Sequence, residues 1–257
     1  MTPQHPVFPD LIGASVLVTG GGAGIGAALT EAFLRQGAKV AFVQRSDASG
    51  FCDTMADATG NRPLGMRCDI TDTTALRDAF ARAADAHGPV RVLINNAAND
   101  HRHNFLDVTE DYFDQSMAIN FKACFFAAQA VIPGMQAQGG GSIVNVTSIS
   151  YMIGNAGYPI YTSANSALNG LTRSLAREFG PDRVRVNALV PGWVMTPKQL
   201  EQWVTLDALA DHLKRQCLPD TLSPADITGG ALYLASDISR AMTGQALVID
   251  GGVAVTG

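Results

Sequence analysis

Charge is scarce in this chain. Only 16% of its 257 residues are Asp, Glu, Lys or Arg, against 47% hydrophobic. Disorder needs the opposite balance, so the chain is read as globular. It has no basic run, and a formal charge of −5 with a pI near 5.4 argues against a nucleic-acid binder. Few charges among many small residues point instead to buried subunit contacts. Cysteine is also sparse. Cys52, Cys68, Cys124 and Cys217 are widely spaced and form no CxxC pair. Neither a disulfide framework nor a zinc site is expected, and buried free thiols in a reducing compartment are. The opening MTPQHPVFPD lacks the basic and apolar stretches of a secretory signal. No apolar stretch approaches the roughly 20 residues of a membrane span. The protein is read as cytoplasmic.

What is present is an alternation of short apolar runs with longer helical patterns. Strands are expected at 15–20, 39–44, 64–69, 90–96, 142–148, 184–192 and 246–252. Helical patterns fall at 24–36, 73–87, 109–137, 158–180 and 224–236. Nearly continuous Val, Ile and Leu in the strands marks burial on both faces, as in a parallel sheet. The fold class is therefore α/β, a doubly wound parallel sheet in one domain. Residues 193–223 break the rhythm with Pro197, Pro219 and both tryptophans, and read as a lid or substrate-binding insertion.

The first strand ends in TGGGAGIG, with glycines at 20, 24 and 26 opening a helix. Glycine allows positive φ and close approach of a pyrophosphate, and the helix N-terminus offers free N–H groups and a favourable dipole. A strand–glycine turn–helix of this kind fits a dinucleotide, with Gly20, Gly22, Ala23, Gly24, Ile25 and Gly26 facing it. No Lys-Ser/Thr pair follows, which disfavours a nucleoside-triphosphate loop. The second strand ends VAFVQRSD, with Gln44 where a ribose-binding carboxylate would stand and Arg45 beside it. Arg45 suits a 2′-phosphate, so NADP is favoured over NAD, although Asp47 offers an alternative ribose ligand.

TGGGAGIG, NNAA at 95–98, Asn120, Ser148, Tyr161 and PG at 191–192 together resemble the short-chain dehydrogenase/reductases, in order and spacing, over the whole chain. The resemblance implies a Rossmann-type sheet of seven strands, a nicotinamide cofactor, an Asn-Ser-Tyr-Lys tetrad and a homotetramer. It adds cofactor contacts at Asp69, Ile70, Asn96, Ala97, Ala98 and Tyr161, and at Pro191, Gly192, Val194 and Thr196. NNAANDHRH, PGWVMTPKQLEQW and QCLP are similar to the aldose 1-dehydrogenase branch. That likeness implies oxidation of a sugar hydroxyl at C1.

In these terms Tyr161 is the expected base, Ser148 fixes the reacting oxygen and Asn120 serves a water relay. Where the family's YxxxK pattern has lysine, this chain has Asn165. The lysine would hold the nicotinamide ribose and favour tyrosinate. A cation at 4–6 Å is worth about 2–4 kcal/mol, or roughly 2–3 pKa units. Without it, Tyr161 should be a poor base at neutral pH. Lys122 and Arg173 are possible but poorly placed substitutes. Asn99, Asp100, His101, Arg102 and His103, after the fourth strand, are expected to meet a polyhydroxylated substrate, with Ser150, Tyr151, Trp193, Gln199 and Trp203 lining the pocket. No metal is expected. Two other readings remain open at this point: a dinucleotide-binding protein with little or no catalysis, motivated by Asn165, and an NADPH-dependent carbonyl reductase, motivated by Gln44 and Arg45.

Overall fold

The computed structural model describes residues 6–255; the start of the N-terminal reading, at residues 1–5, lies outside them. A sheet of seven parallel strands runs through it: β1 (Ser15–Thr19), β2 (Lys39–Gln44), β3 (Leu64–Arg67), β4 (Val92–Asn95), β5 (Gly141–Val146), β6 (Val184–Pro191) and β7 (Ala246–Ile249). Their order is β3-β2-β1-β4-β5-β6-β7, and every pairing is parallel. The order reverses between β1 and β4, so the carboxyl ends of these two strands bound the crevice where such sheets take ligands.

The strands read as unbroken apolar runs because alternate side chains enter two cores. In β1, Val16 and Val18 join the core under α1 (Gly24–Arg35), α2 (Ser49–Thr59) and α10 (Pro224–Ala235). Leu17 joins the opposite core, under α3 (Thr73–His87), α5 (Ala123–Ala137) and α7 (Pro159–Phe179). All three side chains are fully buried. At about 1.5–3 kcal/mol for each large apolar side chain, two buried faces are what stabilise a sheet with so little charge around it.

Several boundaries differ from the sequence reading. α2 was not anticipated, because SGFCDTMADAT carries glycine and two threonines and buries only Cys52 and Met55. β4 is shorter than 90–96, because Asn96 and Ala97 leave the ladder to donate to Thr19 Oγ1. The helical stretch 109–137 is α4 (Glu110–Met117) joined to α5 by a π-helical turn, Ala118–Lys122. Counted as one run, it is 28 residues long and apolar enough to cross a membrane, longer than the sequence reading allowed. Its α5 half packs on the sheet through Ala127, Ala128, Val131 and Met135. Cys52, Cys68 and Cys124 are buried as expected, but Cys217 is exposed. Residues 193–223 contain α8 (Pro197–Gln202) and α9 (Leu206–Arg215), and a bridge between Val194 and Leu222 closes the segment at its base.

Candidate active site

The glycine turn is tight by necessity. Gly20 and Gly24 have φ of +68° and +53°, values only glycine adopts readily. A Cβ on Gly26 would lie 1.9 Å from the Gly20 carbonyl oxygen, a backbone atom that cannot give way. Ala23, the N-cap of α1, supplies no side-chain cap, so the first N–H groups of the helix are left for an anion. Asn96 braces the turn by donating through Nδ2 to the carbonyls of Thr19 (3.0 Å) and Gly20 (3.2 Å). Ala97 lies against Gly20, and Ala98 is exposed just beyond. Among the described residues this cradle fits a pyrophosphate at the switch point.

At the adenosine end, Gln44 faces Gly22 and donates to Ser46 Oγ (3.2 Å) and the Asp47 carbonyl (3.2 Å). Arg45 is exposed at the same corner. Asp69 accepts from the Thr71 amide and hydroxyl, which hold its carboxyl below the usual range, with Arg45 adding to the effect. Ile70 is buried beside it.

Beyond the crevice lies a cleft of about 290 Å³. Ser148 and Tyr161 line it, with Ile25, Pro191, Gly192, Val194 and Thr196 from the cofactor side. Gly192 is forced, since a Cβ there would meet the Asp250 backbone at 2.8 Å. Ser148 sits two residues past β5 and hydrogen-bonds the Tyr161 phenol. Asn120 lies in the π-turn, buried, and Nδ2 reaches the Asn99 carbonyl at 3.0 Å while Oδ1 accepts from the Asn99 amide at 2.7 Å. The π-turn aims Asn120 at the loop after β4, as such turns often do at functional sites.

Asn165 is buried one helical turn after Tyr161. Its Nδ2 donates to the Tyr161 carbonyl at 2.9 Å, and its side chain also hydrogen-bonds the phenol. It brings no charge. Burial, and then the carboxylate of Asp100, push the Tyr161 pKa up to about 12, against the lowering effect of the bonds to Ser148 and Asn165. Lys122 and Arg173 are exposed, and Arg173 acts on Tyr151 rather than Tyr161.

Of the expected substrate residues, Trp193 and Gln199 line the cleft. Asn99 is held by Asn120, His101 is exposed, and in α6 (Ser150–Ile153) Ser150 is buried and Tyr151 packs beside Ile149. Asp100 and Arg102, from the expected polar run, line the cleft too, and Asn155, Tyr158 and His212 join them unexpected. The Arg102 guanidinium lies 4.6 Å from the Trp203 ring centroid and 5.9 Å from that of Tyr158. The Tyr158 hydroxyl accepts from Asn155 Nδ2 at 2.9 Å. Tyr158 was legible as an aromatic three residues before Tyr161; it is the N-cap of α7. His212 gave no signal, because α9 reaches the cleft only through the fold.

A family profile described as enoyl-(acyl carrier protein) reductase matches residues 20–254. A probable galactose dehydrogenase GalD of Rhizobium meliloti is 48% identical over 98% of this chain and all of its own. The chain belongs to the short-chain dehydrogenase/reductase family. D-xylose 1-dehydrogenase of Caulobacter vibrioides is 41% identical over 96% of this chain and 98% of its own. This short-chain dehydrogenase/reductase thus has aldose dehydrogenases among its relatives, and it is an oxidoreductase. The crystal structure of a candidate short-chain alcohol dehydrogenase from Sinorhizobium meliloti superimposes with a TM-score of 0.91 at 32% identity, covering 96% of this chain and 98% of that one. A candidate 2-deoxy-D-gluconate 3-dehydrogenase from Agrobacterium tumefaciens, solved with NADP bound, gives 0.87 at 30%, covering 95% and 97%.

Proposed function

We propose that the protein oxidises the C1 hydroxyl of an aldose to a lactone with NADP, using Tyr161 as the base. The observation that carries this is the polar cleft beside Tyr161 and Ser148, where Asp100, Arg102, Asn155, Gln199 and His212 supply donors and acceptors and Tyr158 and Trp193 supply apolar faces. That mixture suits a ring with hydroxyls on its edge and C–H bonds on its faces. The aldose relatives support the same substrate class.

When bound, the nicotinamide accepts the hydride that leaves C1. Ser148 holds the C1 oxygen, and Tyr161 takes its proton as the carbonyl forms. The glycine turn, Asn96 and the α1 N-terminus hold the pyrophosphate, and Arg45 receives the 2′-phosphate. Asn165 offers amide atoms toward the nicotinamide ribose in place of an ammonium. A high Tyr161 pKa is least damaging for an anomeric hydroxyl, because the ring oxygen makes it more acidic than a simple alcohol. Residues 193–223 cover the substrate. Exposed Phe105, Leu106, Phe113 and Phe125, around α4 and α5, support assembly as a homotetramer, which sedimentation velocity measures directly.

The test is a screen of aldoses and simple alcohols with both cofactors, beside Tyr161→Phe. Turnover of at least one aldose is expected, with a lower KM for NADP than for NAD and at least a thousandfold loss in the phenylalanine variant, on the order of a lost acid–base group or more. Absence of turnover across the alkaline range, with cofactor still bound, would favour the non-catalytic alternative.

A further inference from the structure

Asp100 is an anion in a wall where the base must itself become an anion. It follows β4 and lines the cleft together with Tyr161. Both of its carboxylate oxygens are held from the 193–223 segment: Oδ1 lies 2.6 Å from Lys198 Nζ, and Oδ2 accepts from Gln199 Nε2 at 2.6 Å. Gln199 is held in turn by Trp193, whose Nε1 donates to Gln199 Oε1 at 2.9 Å. The chain Trp193–Gln199–Asp100–Lys198 therefore docks α8 onto the loop after β4.

The groups that act on Tyr161 come from every side. Asp100 faces it from the β4 loop, Ser148 from beyond β5, and Tyr158 and Asn165 from its own helix. Arg102 and His212 line the same cleft, and Lys198 comes from α8. A carboxylate near a phenol opposes a second negative charge. An ammonium 2.6 Å from that carboxylate turns the charge into a dipole, whose field falls off faster with distance.

We propose that Asp100 and Lys198 are positioning residues for Tyr161, such that seating the 193–223 segment delivers a cation to Asp100 and thereby readies the tyrosine as a base. The chain has no ammonium at position 165, so compensation comes instead through the carboxylate and arrives when α8 docks. Proton removal is coupled to closure over the substrate, and by linkage tyrosinate favours the docked segment. This rests on the proposed role of Tyr161.

The two halves of the pair have opposite signs, which separates the proposal from a merely mechanical latch. Asp100→Asn removes the repelling charge and lowers the Tyr161 midpoint. Lys198→Met bares the carboxylate and raises it. Each shift is about one pH unit, so at saturating aldose and about pH 8 the first variant turns over roughly tenfold faster than the parent and the second roughly tenfold slower. Lys198→Arg restores the parent rate. KM rises in both uncharged variants because α8 is held less firmly.

The experiment measures kcat against pH for the parent and the three variants. Beside it runs a pH-jump titration of tyrosinate absorbance, read before alkaline unfolding, as the difference between each protein and the same protein carrying Tyr161→Phe. Opposite shifts in both readouts support the proposal. Shifts in the same direction, or no shift, overturn it. Full activity in Tyr161→Phe would instead overturn the underlying catalytic reading.

Discussion

At the scale of one residue, the proposed role of Tyr161 as a base turns on Asn165. The i+4 spacing was plain in the sequence, and so was the loss of charge. The structure adds that Asn165 spends its amide on the Tyr161 carbonyl at 2.9 Å and that the phenol sits at about 12. Asn165→Lys is expected to speed aldose oxidation at about pH 7 on the order of 100-fold, the value of two pKa units. The gain should be larger for a simple alcohol than for an aldose, because a less acidic hydroxyl depends more on the base. Paired kcat/KM values for an aldose and a secondary alcohol, in parent and variant, check both statements. The substrate residues were less legible. Asp100 and Arg102 stood in a polar run after β4 in which any side chain could have faced inward. His101 points out and Asn99 is bound to Asn120, and only the fold decides that.

At the scale of the element, the β1–turn–α1 unit is the most constrained piece of the molecule. Gly26 has no room for a methyl, so Gly26→Ala forces α1 away from the turn. A loss of about 1–3 kcal/mol in stability is expected, with weaker dinucleotide binding than the stability loss explains. Urea unfolding and cofactor titration by fluorescence separate the two effects. At Gly22 the stability loss should be smaller, because the atom in its way is the far end of Gln44, which can move. This unit was readable because glycine spacing is a backbone requirement written directly in the sequence. The π-turn around Asn120 was not, since its residues, AINFK, have no composition that distinguishes them from an α-helix. The helix at 49–59 was missed for the opposite reason, as its two buried side chains leave almost no apolar period.

At the scale of the whole molecule, seven apolar runs at regular spacing left little choice but a parallel sheet, and the switch point between β1 and β4 holds the glycine cradle, with the cleft beyond it at the ends of β4, β5 and β6. What composition could not reveal is the electrostatic balance of the cleft, which depends on residues from the β4 loop, α7 and α8 meeting in space. The central claim is that Tyr161 works as a base in a site with no cation at position 165. The most direct test is the pH dependence of kcat for aldose oxidation by the parent enzyme, from about pH 7 to about pH 10. A base with a pKa near 12 is mostly protonated throughout that range. The rate should therefore climb by about tenfold for each pH unit, without levelling off. A plateau already reached near neutrality would contradict the account.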